Sequence, residues 1–245
     1  MKMLHSTRRS ALSLSLLATV LLASCGGGDP YTGLWLGSLG PQRSTTTVVL
    51  EDGKYFMIYS QPGNPSAIAG LIEGTADFES AKFSSTNARE YNWESLFVPV
   101  RAATLSARVG KRATVEGSVN GSTPFSVGHV RDLDEDDARL AAIVGSHTGQ
   151  VAFTGGLRDA TFVVTADGRV STNLNGCLIT GNVAPRGDTN AYDLTVAFGG
   201  APCHPLFVNL QFKGVAFYRE DLRQLHAAVI HSSRTQGIAF GGTKQ

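Results

Sequence analysis

Short runs in which every second residue is apolar, bounded by glycine-bearing turns, most constrain what this chain can become. Leu105, Ala107 and Val109 alternate with Thr104, Ser106 and Arg108. Ala113, Val115 and Val119 alternate with Arg112, Thr114, Glu116 and Ser118. Tyr192, Leu194, Val196 and Phe198 alternate with Asp193, Thr195 and Ala197, and Leu206, Val208, Leu210 and Phe212 with Phe207, Asn209, Gln211 and Lys213. Period two sends one set of side chains out of water and leaves the other polar, the pattern of a half-buried strand. Gly214 shifts the phase of the last run and predicts a bulge there. Long helical stretches are missing, and glycine, serine and threonine are plentiful. The chain reads as all-β with many turns.

The runs recur as two similar halves. Gly33-Leu34-Trp35-Leu36-Gly37 opens the first and Gly145-Ser146-His147-Thr148-Gly149 the second. A strand-like run then ends in an Asp-Gly turn, Thr45 to Leu50 with Asp52-Gly53 and Ala160 to Thr165 with Asp167-Gly168. Leu71-Ile72-Glu73-Gly74 matches Leu178-Ile179-Thr180-Gly181, and Val115-Glu116-Gly117 matches Phe212-Lys213-Gly214. Each half has room for about eight strands, and closing such a sheet removes its exposed edges. The expected fold is two tandem, small, antiparallel up-and-down β-barrels, over 33–131 and 146–245, joined by a short helix over 132–145. Asp134, Glu135, Asp136 and Asp137 suit a helix N-terminus; Leu140, Ile143 and Val144 supply an apolar face, and Gly145 a stop. Asp132, Asp134 and Asp136 also begin a calcium-loop pattern. Asp137 stands at its required glycine and Ile143 at its terminal glutamate, so no EF-hand forms.

Upstream, a basic start (Lys2, Arg8, Arg9) precedes an apolar run from Ala11 to Leu22 and the tetrad Leu22-Ala23-Ser24-Cys25. That order resembles a bacterial lipoprotein signal peptide ending in a lipobox. The run is shorter than the ~20 residues a membrane-spanning helix needs. The resemblance implies a leader over 1–24, cleavage beside Leu22, Ala23 and Ser24, and a covalent lipid on Cys25. Gly26, rather than aspartate, follows Cys25, which in this class implies passage to the outer membrane. Arg8-Arg9 leaves a twin-arginine export route open beside the general one. Residues 25–32 form a flexible tether with three glycines. From Cys25 to Trp35 the chain can span at most roughly 35 Å, so the folded body stays near the membrane.

Removing Lys2, Arg8 and Arg9 from 21 Lys and Arg leaves 18 against 20 Asp and Glu. This near balance offers no basic stripe for nucleic acid. Two cysteines remain, Cys177 and Cys203. An address outside the cytoplasm favours their pairing as a disulfide; their spacing has no CxxC character for a redox or metal pair. No G-x-S-x-G elbow, Walker A loop, G-x-G-x-x-G or H-E-x-x-H occurs, so no catalytic residue and no metal ligand is assigned. His129, His147, His204, His226 and His231 are the histidines beyond the leader, and His226 and His231, five apart on one strand, face opposite sides. Three residues are candidates for ligand or partner contact. Trp35 could plug one barrel end or line a pocket, and Trp93 could sit at a loop tip. His204, in Pro202-Cys203-His204-Pro205, could recognise a partner or simply be an exposed turn residue pinned by the disulfide.

Gly74-Thr75-Ala76-Asp77-Phe78-Glu79-Ser80-Ala81-Lys82-Phe83 resembles the strand-turn-strand signature of transferrin-binding-protein-B-like and factor-H-binding-protein-like surface lipoproteins. Those carry small eight-stranded barrels on a lipid anchor. Gly33-Leu34-Trp35 is similar to the first-strand motif of lipocalins. The chain lacks the long handle regions of the transferrin receptors and more closely resembles two-repeat lipoproteins of proteobacteria. The anchor, the paired barrels and the absence of catalytic motifs lead to the expectation of a non-enzymatic envelope lipoprotein, held at the outer membrane by lipid, that binds a partner through barrel-end loops. The alternatives are a lipocalin-like carrier of a small apolar ligand and a periplasmic inhibitor or enzyme without a recognisable motif.

Overall fold

The alternating runs close on themselves twice. The computed structural model describes residues 31–79, 81–95, 97–110, 114–130, 137–187 and 189–245. The leader, Cys25, Leu22, Ala23, Ser24 and most of the tether lie outside the described residues, as do Arg112, Ala113 and the helix start at Asp132, Asp134 and Asp136. The first half holds β1 (Gly33–Leu39), β2 (Arg43–Val49), β3 (Lys54–Gln61), β4 (Asn64–Thr75), β5 (Asp77–Glu79), β6 (Lys82–Asn92), β7 (Val100–Val109), β8 (Thr114–Val119) and β9 (Thr123–His129). Pairing of β1 with β9 and of β4 with β6 closes an eight-stranded ring; β5 pairs only with β6. The second half is a closed antiparallel barrel of β10 (Gly145–Phe153), β11 (Gly156–Val164), β12 (Arg169–Leu174), β13 (Cys177–Arg186), β14 (Ala191–Phe198), β15 (Gln211–Arg219), β16 (Gln224–His231) and β17 (Gly237–Lys244).

The two halves repeat each other down to single hydrogen bonds. At both Asp-Gly turns the glycine lies at positive φ, 77° at Gly53 and 80° at Gly168, a region where other residues are strained. Each glycine N–H donates to the residue three back, Leu50 or Thr165, at 2.9 Å. Each glycine carbonyl accepts a backbone N–H at 2.8 Å, from Ala76 just beyond the fourth strand of the first barrel or from Val183 within the fourth strand of the second. Closure is matched too. Gly37 faces Val127 across β1 and β9, and Gly149 faces Gly242 across β10 and β17. A Cβ would come within 1.9 Å of the Ser126 carbonyl at the first and 2.0 Å of the Gly241 carbonyl at the second. Three of the four sequence matches fall on equivalent strands. The fourth does not: Val115-Glu116-Gly117 lies on the seventh strand of its barrel and Phe212-Lys213-Gly214 on the sixth.

Three apolar clusters account for the core. Trp35, Tyr55, Met57, Ile72, Leu105 and Phe125 are among those filling the first barrel. Ile143, Val164, Ile179, Tyr192, Phe212 and Phe240 are among those filling the second. The third cluster lies between them and draws on outer faces. Leu34, Val48, Phe56, Ile58 and Leu71 of the first barrel meet Ala152, Ala191, Val215, Phe217, Ala228 and Ala239 of the second. Several strands are therefore buried on both faces. On β3, Tyr55 and Met57 point inward while Phe56 and Ile58 enter this seam; on β15, Phe212 and Ala216 point inward while Val215 and Phe217 enter it.

Polar groups pin the seam. The Arg234 guanidinium donates to Glu73 at 2.8 Å and to the Asn87 carbonyl at 2.7 Å. The Tyr91 hydroxyl donates to the same Glu73 oxygen at 3.3 Å, and burial, then the Glu73 charge, pushes that phenol well above its ordinary range. Arg186 adds a second bridge, to Glu51 of the first barrel at 3.2 Å and Asp193 of its own at 2.7 Å.

Three expectations need correction. Residues 206–209 are turns, and β15 begins only at Gln211. Phe207, expected on a polar face, is 1% exposed, because the loop folds it into the barrel mouth, while Leu206 is 46% exposed. Gly214 forms no bulge, since β15 keeps unbroken register with both neighbours. The change of phase there is the onset of two-sided burial. Among the described residues the helix is a single turn, α1 (Leu140–Ile143), with Arg139 extended at φ −117°. The Ala138 N–H donates to the Thr189 carbonyl of the second barrel, so the backbone before Leu140 is committed elsewhere.

Leu71 is fully buried in the seam. Leu71→Ala should cost about 2–5 kcal/mol. In urea, Trp35 fluorescence should report the first barrel and hydrogen exchange in β12 and β13 the second. Both midpoints should fall together; a shift confined to the first barrel would show that the seam does not couple them.

Candidate functional site

Four places could hold a ligand or partner: the two barrel interiors, the barrel ends, and the clefts beside the seam. The interiors are nearly full. In the first, a cavity of about 20 Å³ remains among Trp35, Tyr55, Met57, Phe83 and their neighbours. Trp35 is 2% exposed there; its indole N–H donates to the Tyr31 carbonyl at 3.0 Å and its ring lies 4.8 Å from His129. It is a core residue and meets nothing from solution. The second barrel retains about 50 Å³, lined by apolar side chains that include Phe162, Ile179, Leu194 and Val229. That is about a third of a cavity able to hold benzene.

Both mouths of the second barrel are stoppered. At one, α1 inserts Ile143, which is fully buried. The His147 Nε2–H donates to the Ile143 carbonyl at 2.8 Å, leaving Nδ1 sealed without a partner; burial holds this imidazole below its usual range and neutral. Tyr192 donates to the Arg139 carbonyl at 2.9 Å and Lys244 to the Ala142 carbonyl at 2.8 Å. The His147 and Lys244 bonds satisfy the Ile143 and Ala142 carbonyls, which so short a helix does not pair internally, while the Arg139 carbonyl also accepts from the Ala142 N–H at 2.9 Å. At the other mouth, Phe207 stacks on Phe198 with centroids 5.2 Å apart and meets Phe153 edge-on at 5.4 Å. Cys177 and Cys203 form a disulfide that fastens this loop to the start of β13. His204 is exposed and builds the turn. Its carbonyl accepts from Phe207 at 2.8 Å and its Nδ1 from the Leu206 N–H at 3.3 Å.

The most exposed apolar group is in the β6–β7 loop of the first barrel. Phe97 is 92% exposed and Val98 56%. Trp93 is not at this tip: it is half-buried and packs on the seam cluster. β6 is the fifth stave of an up-and-down ring and runs parallel to β1. Its C-terminal end therefore lies opposite the end where Gly33 begins. The sequence reading passed over Phe97, although Phe97-Val98-Pro99 is an apolar break in a loop, a signal that was present.

Two clefts flank the seam. One, of about 700 Å³, lies between the outer faces of β1–β4 and those of β10, β16 and β17. The other, of about 620 Å³, carries Lys54, Arg186, Asp193 and Lys213. His226 borders the larger one. Its ring stacks on Phe217 at 5.0 Å and 8°, with Nδ1 sealed and unpartnered beside Gly241. Burial, aided by the nearby Arg219 charge, lowers its pKa to about 4. His231 lies on the other face of β16, against Phe212. Among the described residues, no cluster of three His, Cys, Asp or Glu could hold a metal ion.

The chain is similar in fold to a crystal structure from Nostoc punctiforme, a protein of unknown function from the DUF3598 family. The two share 12% identity over 88% of this chain and 97% of that one, with a TM-score of 0.33. Likeness at that level bears on neither site nor activity. No protein-family model and no curated protein matches the chain.

Two outcomes test the stoppers and His226. Replacing Cys177 and Cys203 together by serine frees a loop whose ends are 26 residues apart. On the chain-entropy argument this should lower unfolding free energy by about 3.5 kcal/mol in urea. For His226 the folded pKa lies below that of the unfolded chain, so the unfolded chain binds more protons between the two values. Its contribution is whole above pH ~6.5 and drains as pH falls towards 4. With some ring surface still wet, the loss should be about 2–3 kcal/mol. His226→Phe keeps the stack and should flatten that part of the stability–pH curve; a ring titrating near 6.5 by NMR would contradict it.

Proposed function

We propose that this chain is a lipid-anchored protein of the bacterial envelope that binds a protein partner through the far-end loops of its first barrel, without catalysing a reaction. The observation that carries the reading is the placement of Phe97 and Val98. Among the described residues they are the most exposed of the large apolar side chains, and they stand at the barrel end opposite Gly33. With Cys25 as the attachment point, a tether reaching at most roughly 35 Å holds the Gly33 end towards the membrane and turns the Phe97 loop away from it. Leaving a phenylalanine in water forgoes roughly 2 kcal/mol that a partner covering it would recover. Adjacent apolar residues on one tip make a contact point in a way that scattered ones do not.

The carrier reading draws on the wholly apolar lining of the second barrel. Ligand pockets run from about 300 Å³ upward, so that role would require Phe207 to leave the mouth.

The test has two arms in cells. Cys25→Ser should abolish incorporation of labelled palmitate and release the protein from the membrane fraction. A photo-crosslinking residue at Phe97 should give a discrete heavier adduct that the same residue at exposed Glu116 on β8 does not. Unchanged membrane partitioning removes the anchor from the reading; identical patterns at the two positions remove the binding loop.

A further inference from the structure

The larger cleft beside the seam goes beyond that reading and does not depend on it. Its two walls come from different barrels, the setting in which ligand sites most often form, and about 700 Å³ lies within the range of such sites. Ser44 and Thr46 line one wall, Gln150 and Gln224 the other. The side chains of the two glutamines are half-buried and make no hydrogen bond within the protein, so each offers an amide donor pair and a carbonyl acceptor to whatever enters. Leu36, Ile58 and Ile68 add an apolar strip. The cleft has little net charge to offer an ion. Arg219, its one lining arginine or lysine, is held by Asp221 at 2.8 and 3.3 Å, and His226 stays neutral in its buried stack. The cleft on the other side is built differently, with Lys54, Arg186, Lys213 and Asp193 on its walls.

We propose that this cleft binds an uncharged, polyhydroxylated ligand, a short neutral oligosaccharide. A sugar hydroxyl both donates and accepts, as a glutamine amide does, and the C–H faces of the ring suit an apolar strip between polar walls. A carboxylate or phosphate would meet only an arginine already neutralised. An acyl chain filling the cleft would displace water from the two amides and leave them without partners, at about 1–3 kcal/mol each.

Calorimetric titration of the full chain against maltotriose, cellotriose and tri-N-acetylchitotriose tests this, with inorganic phosphate and hexanoate as the charged and acyl probes. At least one trisaccharide should bind with Kd at or below about 1 mM, and phosphate and hexanoate should not. Gln150→Ala and Gln224→Ala should each weaken that binding about tenfold or more, consistent with loss of a buried hydrogen bond. Lys213→Ala, in the opposite cleft, should leave it unchanged, and thermal unfolding should confirm that all three variants fold. The proposal fails if no trisaccharide binds, if only phosphate or hexanoate binds, or if sugar binding survives both glutamine substitutions in folded protein.

Discussion

Large side chains of one barrel laid on an alanine-faced sheet of the other hold this structure together. Phe56, Ile58 and Leu71 reach out of the first barrel, and Ala152, Ala191, Ala228 and Ala239 let them approach the backbone of the second. Each large group so buried is worth roughly 1.5–3 kcal/mol relative to exposure. Two closed barrels need not touch, since closure already satisfies their backbone groups. Here they share a third core, flanked by the Arg234–Glu73 and Arg186–Glu51 bridges between the barrels. Both clefts and the two-sided burial of β3 and β15 follow from that shared core.

The second barrel shows how an end is closed when a strand ring alone cannot do it. One mouth takes a turn of helix whose carbonyls are caught by the His147, Tyr192 and Lys244 side chains. The other takes a loop whose plug is Phe207 and whose fastening is the Cys177–Cys203 bond. Neither stopper comes from a strand. The chain between strands, usually free to vary, is here structural, while the exposed apolar loop of the first barrel is not called on for closure.

Much of this was legible because it is local. Period-two runs such as Leu105-Ser106-Ala107 keep their faces in the folded barrel, and the two Asp-Gly turns mark the same corner in both halves. The paired cysteines needed only an oxidising address. What escaped depends on partners distant in sequence. Tyr55-Phe56-Met57-Ile58-Tyr59 and Val215-Ala216-Phe217-Tyr218 are unbroken apolar runs, and such runs signal burial on both faces. Because Gly214 precedes one of them, its change of phase resembled a bulge. Phe207 sat in an alternating run, yet ring packing at the barrel mouth overrode strand pairing. Of the expected helix start only 137–139 are described; they are not helical, and the Ala138 N–H finds its hydrogen bond on the second barrel. The candidate cleft could not be read from either half, because its walls meet only once both barrels are closed and joined.

The seam is also directional. The first half brings Leu34, Val48, Phe56, Ile58 and Leu71 to the seam, whereas the second brings four alanines beside Val215 and Phe217, so the two faces differ in side-chain size. The faces that meet are therefore unlike, although both halves share one pattern of turns and strands. Holding the halves on one polypeptide supplies each with its complement at high effective concentration. Their divergence has turned a repeat into an internal heterodimer, whose pairing rules are carried by side-chain size.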